Sequence, residues 1–294
     1  MSTESMNTGS RPARIRVGDV ISHIERLAPL SYACDWDPTG FAIGDREDPL
    51  TSVVVSLDCD RRAVERALDM GAGLIVTHHP PIFTPLGTLT ADTPAGADRL
   101  RLLRAGIAVY AAHTNLDATV PGVGDQLACC LGLRVQKTLV PLEGDGRPLP
   151  KLLTGEAGSG AVPGFGRICA EEEDLTRRDL ILRVNQQLQT AGCIPNFDTD
   201  KAAGRIAVSG GSFDEAWIEQ LLAEGVDTLV AGEIKHHVLV ALRDLGIAAI
   251  VAGHEATERV ILHPLASWIR KAFPALSLFV NEGLDYNQLI FRDS

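Results

Sequence analysis

Residues 52–79 have the sequence SVVVSLDCDRRAVERALDMGAGLIVTHH, and this stretch decides the fold class. The apolar run at 52–58 has the length of one buried strand, and the segment after it carries apolar side chains at helical spacing as far as Gly71. A second strand follows in LIVTHHPPIF at 74–83 and runs into a loop that begins with proline. This order of strand, helix and strand predicts a βαβ unit with parallel strands.

The same order of elements occurs twice in the chain. Residues 205–237 can be laid over the first unit with Gly225 matching Gly71, and the strand at 244–258 matches the one at 104–117. A chance match over one strand is common, but the repeated order of strands and helices indicates an internal duplication.

We therefore predict an α/β protein with two similar, duplicated lobes, each with a mostly parallel sheet. The predicted boundaries are a disordered leader at 1–14, a first lobe at 15–139, an inter-lobe segment at 140–204 and a second lobe at 205–294. Ligands of such sheets bind beyond the carboxyl ends of the strands, so the site is expected between the lobes.

The composition excludes several classes of protein. With 45% hydrophobic and 22% charged residues, the chain is neither disordered nor fibrous. Its net charge of -11 repels phosphate backbones, so nucleic acid is not an expected partner. No apolar run reaches the roughly 18 residues of a membrane helix, so no membrane partner is expected either. The six cysteines form no CxxC pair and the N-terminus lacks a signal peptide, which predicts a cytoplasmic location.

Histidines and carboxylates concentrate where the predicted strands end. His78 and His79 are neighbours after a strand, so their side chains diverge and each can bind a different metal ion. His254 and Glu258 stand at i and i+4 on one helical face, and Asp117 adds a carboxylate at the end of the third strand. This nitrogen and oxygen set predicts two divalent metal ions per chain and suits Zn, Fe, Mn or Co.

Each of these motifs also has a purely structural interpretation. The motif GHEATE at 253–258 is equally typical of a helix start, where the dipole favours an acidic residue. Asp117 can cap the backbone after its strand. The roles of His113 and of Asp37, which lies in a Pro/Gly-containing motif, stay open.

Lys235 and His236 are the candidate catalytic residues. They stand at the end of a duplicated strand, where a role in substrate binding or proton transfer competes with an exposed charged turn. The motif SGGSFD at 209–214 lacks the spacing of a phosphate-binding loop, so we interpret it as a tight turn. No GxSxG motif occurs in the sequence, which disfavours covalent serine catalysis.

Five motifs in the same order resemble the Ngg-interacting-factor-like proteins, also called GTP cyclohydrolase 1 type 2 homologues and dinuclear metal centre hexameric proteins. The sequence departs from the family pattern at Pro38, Glu233 and His236, none of which is a presumed ligand. The motifs are DWDPTGFAIG at 35–44, LIVTHHPPIF at 74–83, AAHTNLDA at 111–118, GEIKHH at 232–237 and GHEATE at 253–258.

The resemblance implies a dinuclear metal site in which a carboxylate bridges two ions. It also implies two similar lobes and a homohexamer whose sites face an inner cavity. Longer members of the family carry an inserted middle domain, and the segment at 140–204 is too short for one, so we expect the compact form. By position, the ligands carried over from the family are His78, His79, Asp117, His254 and Glu258.

Two functions from different classes fit these observations. The first is a metal-dependent hydrolase of a small-molecule substrate, with a nucleotide among the candidates because of the cyclohydrolase name. The second is a non-catalytic metal carrier, cofactor-assembly factor or interaction scaffold, which would use the same ligands. The identity of the substrate and of the native metal is not encoded in any motif found here.

Overall fold

Two sheets and their surrounding helices make up the part of the chain that the computed structural model describes, residues 14–142, 162–170, 175–190, 194–195 and 197–283. The strands are β1 (Gly40–Ile43), β2 (Ser52–Ser56), β3 (Leu74–Thr77), β4 (Ala108–Ala111), β5 (Val135–Pro141), β6 (Gly164–Cys169), β7 (Ile194–Pro195), β8 (Ile206–Ser212), β9 (Thr228–Glu233), β10 (Ala248–Val251) and β11 (Ser277–Asn281). The helices are α1 (Val17–Leu27), α2 (Arg61–Asp69), α3 (Pro94–Ala105), α4 (Thr114–Ala118), α5 (Val123–Cys130), α6 (Arg177–Leu188), α7 (Ile218–Ala223), α8 (His236–Asp244), α9 (His254–Glu258) and α10 (Leu262–Ala272).

The two sheets share a central pattern. The first has the order β1-β4-β3-β2-β11 and the second has the order β5-β6-β8-β9-β10-β7. In each, three parallel strands alternate with helices, and an antiparallel edge strand pairs with the third of them. The predicted α/β class with duplicated lobes is confirmed.

The central strands are buried on both faces. Val53 and Val55 of β2 pack into a core with α1 and α10, whereas Val54 packs into a second core with α2 and α3. In β8, Val208 and Ala207 likewise face opposite cores. A strand covered by helices on both faces needs apolar residues at successive positions, which explains the unbroken apolar runs in the sequence.

The sheets divide the chain differently from the predicted lobe boundaries. Strand β11 falls within the predicted second lobe at 205–294 but pairs in parallel with β2 of the first sheet, and α10 packs on the same core. Helix α5 falls within the predicted first lobe at 15–139 but packs into the core of the second sheet through Leu127. Chain order alone does not say which sheet an element joins.

Parts of two predicted segments lie outside the described residues. These are the leader at 1–14, except for Arg14, and much of the inter-lobe segment at 140–204. The described part of that segment contributes β6 and β7 to the second sheet and α6 to its core. Among the described helices, none combines the length and the apolar character needed to cross a bilayer.

Candidate metal centre

The predicted ligands follow the carboxyl ends of parallel strands in both sheets. His78 and His79 come directly after β3, and their backbone N–H groups still donate to the segment that ends β2. Asp117 lies in α4, which follows β4, and α9 begins at His254 and ends at Glu258 after β10. Because these strand ends meet at the same place, the five side chains converge.

Glu258 lies at the centre of the cluster and is only 4% exposed. Its Oε2 atom is 2.9 Å from His79 Nε2 and 3.0 Å from His254 Nε2. Its Oε1 atom is 3.7 Å from His78 Nε2. Histidines that follow the first sheet therefore meet a carboxylate that follows the second.

His78 is fully buried, and its two ring nitrogens differ in their surroundings. Its Nδ1 donates to the carbonyl oxygen of Ala112 at 2.8 Å. Its Nε2 has no hydrogen-bond partner in the described part of the chain, although Asp117 Oδ1 is 3.6 Å away. A buried polar atom without a hydrogen-bond partner destabilises the folded protein, and a metal ion bound at Nε2 would remove this destabilisation.

The rings of His79 and His254 are also held through their Nδ1 atoms. His79 Nδ1 is 2.8 Å from Asp58 Oδ1, and His254 Nδ1 is 3.3 Å from Glu233 Oε2. Such carboxylates fix the orientation of an imidazole and leave Nε2 free for a metal. Asp58 was not predicted as a site residue, although its position two residues after β2, at the same sheet edge as His78, is a signal that the sequence contains.

His113, whose role the sequence left open, belongs to the same cluster. Its Nδ1 is 2.9 Å from Asp37 Oδ1, and the second oxygen of Asp37 accepts from the backbone N–H of Thr114 at 3.0 Å. The ring centroids of His113 and His78 are 5.2 Å apart. The motif DWDPTG at 35–40 therefore supplies a carboxylate that positions a histidine of the cluster, beyond any role as a turn.

Two overlapping groups of side chains in the described residues can each hold a metal ion. Within each group the donor atoms lie within 4.8 Å of one another. Imidazole nitrogen and carboxylate oxygen together suit Zn, Fe, Mn or Co. The groups are His78, His79 and His113, and His79, His254 and Glu258.

His79 and His254 have raised pKa values. Burial lowers the pKa of His79, but hydrogen bonds to Asp58 and Glu258 outweigh burial and raise this pKa to about 10. The hydrogen bond to Glu258 raises the pKa of His254 to about 9 against a smaller opposing effect of burial. Protons therefore occupy imidazoles that a metal would bind.

The pKa values of the two carboxyl groups in the cluster, those of Asp117 and Glu258, are shifted in opposite directions. Burial raises the pKa of Asp117 and outweighs the charge of His78. Burial also acts to raise the pKa of Glu258, but the charge of His78 and the hydrogen bond from His254 hold that pKa well below its usual range. Burial lowers the pKa of His78, yet the charges of Asp117 and Glu258 bring it above the usual value. The cluster thus gathers positive charge around Glu258.

Gly211 in β8 leaves the space that Glu258 occupies. Its φ is +61°, and a Cβ there would lie 2.0 Å from Glu258 Oε1 and 3.4 Å from His254 Nε2. The Gly211 N–H donates to Thr257 Oγ1 at 3.0 Å. The motif SGGSFD at 209–214, interpreted as a tight turn, therefore also shapes the wall of the cluster.

Comparison with known proteins identifies the family. The profile of Duf34/NIF3 (NGG1p interacting factor 3) matches residues 15–282. The chain belongs to this family. A GTP cyclohydrolase 1 type 2 homolog of Streptomyces coelicolor is 33% identical over 248 residues, which cover 83% of this chain and 81% of that protein. Its counterpart in Clostridium acetobutylicum is 30% identical over 244 residues, 83% of this chain and 85% of that protein.

Solved structures share the fold of this Duf34/NIF3 chain. A Bacillus cereus protein related to NIF3 has a TM-score of 0.82 at 23% identity and covers 95% of this chain and 99% of its own. A hypothetical protein of Staphylococcus aureus has a TM-score of 0.77 at 24% identity and covers 93% of this chain and 99% of its own. The family resemblance expected from the five motifs is confirmed.

A cavity of about 610 Å³ opens beside the cluster of this Duf34/NIF3 chain. Its size suits a small molecule. Histidine and carboxylate side chains of the cluster line part of it, namely those of His79, His113, Asp117, His254 and Glu258. Aromatic side chains line much of the rest, namely those of Trp36, Phe83, Phe165, Phe213 and Trp217.

The two predicted catalytic residues lie in different surroundings. Lys235 precedes α8 and lines the cavity. His236, the first residue of α8, is exposed and is not among the described residues that line the cavity. The next residue, His237, is also exposed, with its Nε2 at 2.6 Å from Glu215 Oε2. The catalytic role of His236 stays a prediction.

Proposed function

We propose that this Duf34/NIF3 chain is a dinuclear metal-dependent hydrolase that binds two divalent ions, Zn, Fe, Mn or Co, per chain. The observation that carries the proposal is that the two oxygens of Glu258 face different donors. Oε2 lies within 3.0 Å of the Nε2 atoms of His79 and His254. Oε1 faces His78 Nε2 at 3.7 Å, and that nitrogen is 3.6 Å from Asp117 Oδ1.

These separations fit a bridging carboxylate. Ligand atoms at about 2.0–2.2 Å from one tetrahedral ion are about 3.3–3.6 Å apart, close to the 3.6 and 3.7 Å separations around His78 Nε2. The 2.9 and 3.0 Å separations on the Oε2 side are those of hydrogen bonds, which a metal ion would replace. Glu258 would therefore hold one ion through each of its two oxygens, together with His79 and His254 on one side and His78 and Asp117 on the other. The unpartnered Nε2 of His78 supports a metal on the Asp117 side of the cluster.

Residues of the chain would bind the substrate and move the proton. When bound, two divalent ions supply Lewis acidity toward water and toward a substrate oxygen. Asp37 holds the proton of His113 at Nδ1, so the Nε2 atom of His113 is free to accept a proton in the cavity. Lys235 Nζ would bind an anionic group of the substrate, and the buried side chains of His78 and Glu258 keep water from the back of the site.

The names of the relatives point to hydrolysis of a small molecule. Proteins named GTP cyclohydrolase 1 type 2 homolog match most of this chain, and a cyclohydrolase opens a ring by hydrolysis. We therefore take a small-molecule substrate, with nucleotides as the first candidates. The homohexamer and the cytoplasmic location, which the family resemblance and the cysteine pattern suggest, stay predictions.

Elemental analysis of bound metal tests the proposal. The protein, purified without chelator, should carry about two ions per chain. Glu258→Gln keeps the shape of the bridging side chain but removes its charge, and it should lose both ions. Glu282→Gln is the matched control, because Glu282 is an exposed partner of the exposed His263.

The result separates the two candidate functions. Absence of metal after reconstitution with Zn, Fe, Mn and Co would overturn the proposal. Two ions per chain without hydrolysis of phosphate esters, nucleotides or peptides would favour the non-catalytic carrier or scaffold instead. Two ions together with hydrolysis that Glu258→Gln abolishes would support the hydrolase.

A further inference from the structure

The cavity beside the cluster has a lining that metal binding does not require. The chain has 8 Phe and 3 Trp, and three of the Phe and two of the Trp line this one cavity. The overall aromatic content is only 5%, so this concentration is unlike the rest of the chain. Aromatic side chains concentrated in one cavity are typical of sites that bind flat, apolar ligand surfaces.

The aromatic side chains form two groups. Trp36 and Phe83, from loops beside the first sheet, have ring centroids 6.0 Å apart. Phe165 and Trp217, from the side of the second sheet, stack with centroids 5.7 Å apart and planes 16° from parallel. Phe213 packs edge-on against Trp217. Both groups line the same cavity, so a ligand there meets aromatic surface from each sheet.

The group formed by Trp36 and Phe83 is strongly exposed. The two residues are 61% and 55% exposed, although each carries a large apolar ring. Contiguous exposed apolar surface marks a place where a ligand or partner binds. The Trp36 ring also contacts His113 edge-on, with centroids 6.1 Å apart, so this surface adjoins the metal cluster.

The charges that line the cavity limit the ligand. Lys235 is the only Lys or Arg among the described residues of the lining, which also includes the carboxylates of Asp117, Asp214 and Glu258. One ammonium group matches one anionic group on the ligand, and the carboxylate of Asp214, which is not a proposed metal ligand, repels further negative charge.

We propose that the cavity binds a flat heteroaromatic compound with one anionic group, whose ring stacks on the aromatic side chains and whose anion contacts Lys235. The proposal names the substrate class of the proposed hydrolase and rests on that function for the reaction, but not for the binding of the ring. Base stacking on aromatic side chains tolerates different rings, so several purines and pyrimidines should bind.

Calorimetric titration of the full chain, as purified with its metal, tests the binding. The probes are guanosine, guanosine 5′-monophosphate, uridine 5′-monophosphate and ribose 5-phosphate, which has the anion without the ring. We expect both nucleotides to bind, and ribose 5-phosphate to bind at least about fivefold more weakly, since one stacked ring accounts for about 5- to 150-fold in affinity.

Two substitutions and one control variant localise the ring and the anion. Trp36→Ala should weaken guanosine binding within the same range, about 5- to 150-fold. Leu182→Ala is its control, because Leu182 is an apolar side chain that is 60% exposed on α6, away from the cavity. Lys235→Met should weaken binding of guanosine 5′-monophosphate and leave binding of guanosine unchanged.

Some outcomes would overturn this inference alone. These are ribose 5-phosphate binding as tightly as the nucleotides, no binding by any ring-containing probe, or unchanged guanosine affinity in Trp36→Ala with a native circular dichroism spectrum. Metal content and hydrolysis of a non-aromatic phosphate ester, measured on the same preparation, keep the two proposals apart. A chain that binds the rings but no metal would overturn the proposed hydrolase and support the ring site.

Discussion

An imidazole binds a metal tightly only when its ring already faces the site. In this chain the Nδ1 atoms of four clustered histidines each contact an oxygen atom, which leaves the four Nε2 atoms for a ligand. A cluster built in this way is oriented before any metal binds. The pairs are His78 with the Ala112 carbonyl, His79 with Asp58, His113 with Asp37 and His254 with Glu233.

The contact between Asp58 and His79 gives a test of this orientation. Asp58→Ala removes no proposed ligand but frees the His79 ring, so we expect zinc affinity to fall about 10- to 100-fold. Competition with a chromophoric chelator measures the change. Asp69→Ala is the control, since Asp69 is exposed at the end of α2. Equal affinities in the two variants would show that the contact does not position the ligand.

Proton release provides a second test at the same scale. Metal-free His79 and His254 have pKa values of about 10 and about 9, so both imidazoles are protonated at pH 7. A metal binds only the neutral ring, and binding must displace these protons. We therefore expect at least two protons released per chain at pH 7, fewer as pH rises through 9 and 10, and apparent affinity that increases with pH over that interval.

Calorimetry in buffers of different ionisation enthalpy counts these protons. The Glu258→Gln variant lacks a carboxylate that raises both pKa values, so an NMR titration of this variant should show His79 and His254 losing their protons at lower pH than in the wild type. Zinc binding with the same heat in every buffer at pH 7 would contradict the prediction.

The sequence already contained the five proposed ligands, because their spacing and strand-end positions are local features. It did not show which oxygen atoms hold the histidines. Asp58 is 21 residues from His79, and Asp37 is 76 residues from His113, so these pairs depend on how the strands are ordered in the sheet. Contacts of this kind follow from tertiary structure and have no periodic signature in the chain.

At the scale of the elements, α9 must lie very close to the second sheet to bring Glu258 into the cluster. Glycines make this approach possible. A Cβ at Gly211 of β8 would overlap Glu258, and a Cβ at Gly232 of β9 would lie 2.5 Å from Thr257 Oγ1 and 3.0 Å from the Cα of His254. The position of α9, and with it the positions of the proposed ligands His254 and Glu258, therefore requires glycine at both 211 and 232.

Gly211→Ala should therefore abolish metal binding. The new methyl group displaces the Glu258 carboxylate, and we expect the metal content to fall below about a tenth of the wild-type value, a loss of more than about 1.4 kcal/mol in binding free energy. Gly225→Ala is the matched control: its φ of +62° imposes the same backbone strain, but nothing lies within 4 Å of the new methyl group. Similar metal loss in both variants would point to backbone strain instead.

The order of the strands and helices in the duplicated units could be predicted from the sequence, but the residues at which these elements end could not. Asp117 was expected at the end of the third strand, but β4 ends at Ala111 and α4 occupies Thr114–Ala118. A five-residue helix is too short to show helical periodicity, so only the tertiary structure defines it.

At the scale of the whole molecule, Arg167 links the two halves of the site. The side chain is fully buried in β6 of the second sheet. Its guanidinium donates to the carbonyl of Thr119, directly after α4, at 2.8 Å and to Asp125 Oδ2 in α5 at 2.7 Å. It also donates to the carbonyls of Gly164 and Gly166 at 2.8 Å. The segment that carries Asp117 is thereby attached to the second sheet.

Replacement of Arg167 should destabilise the entire protein. Arg167→Met removes the guanidinium that donates to the partly buried carboxylate of Asp125 and to three carbonyls, so we expect the free energy of unfolding to fall by about 3–5 kcal/mol. Urea denaturation at neutral pH measures this change. Arg178→Met is the control, since Arg178 forms an exposed ion pair with Asp200 and its loss should change stability far less. A similar midpoint in both variants would contradict the prediction.

The sequence could not show how the chain closes its first sheet. The duplicated units suggested two lobes in succession, but β11 returns from the end of the described chain to pair with β2. The sequence of β11, SLFVN, contains no feature that identifies β2 as its neighbour. Parallel strands are not joined by a tight turn, so no turn motif predicts this pairing either. The assignment of β11 to the first sheet follows only from the tertiary structure, in which β11 pairs with β2 and α10 packs on the same core.

That pairing sets an order of events during synthesis. Residues 52–56 leave the ribosome more than two hundred residues before 277–281, and α10 is needed to cover the same core. Until α10 and β11 are synthesised, the first sheet therefore has an open edge at β2 and an uncovered apolar face. The elements of the second sheet are complete before that point and can already assemble. The first sheet, whose strands begin to be synthesised first, is thus the last of the two sheets to be completed.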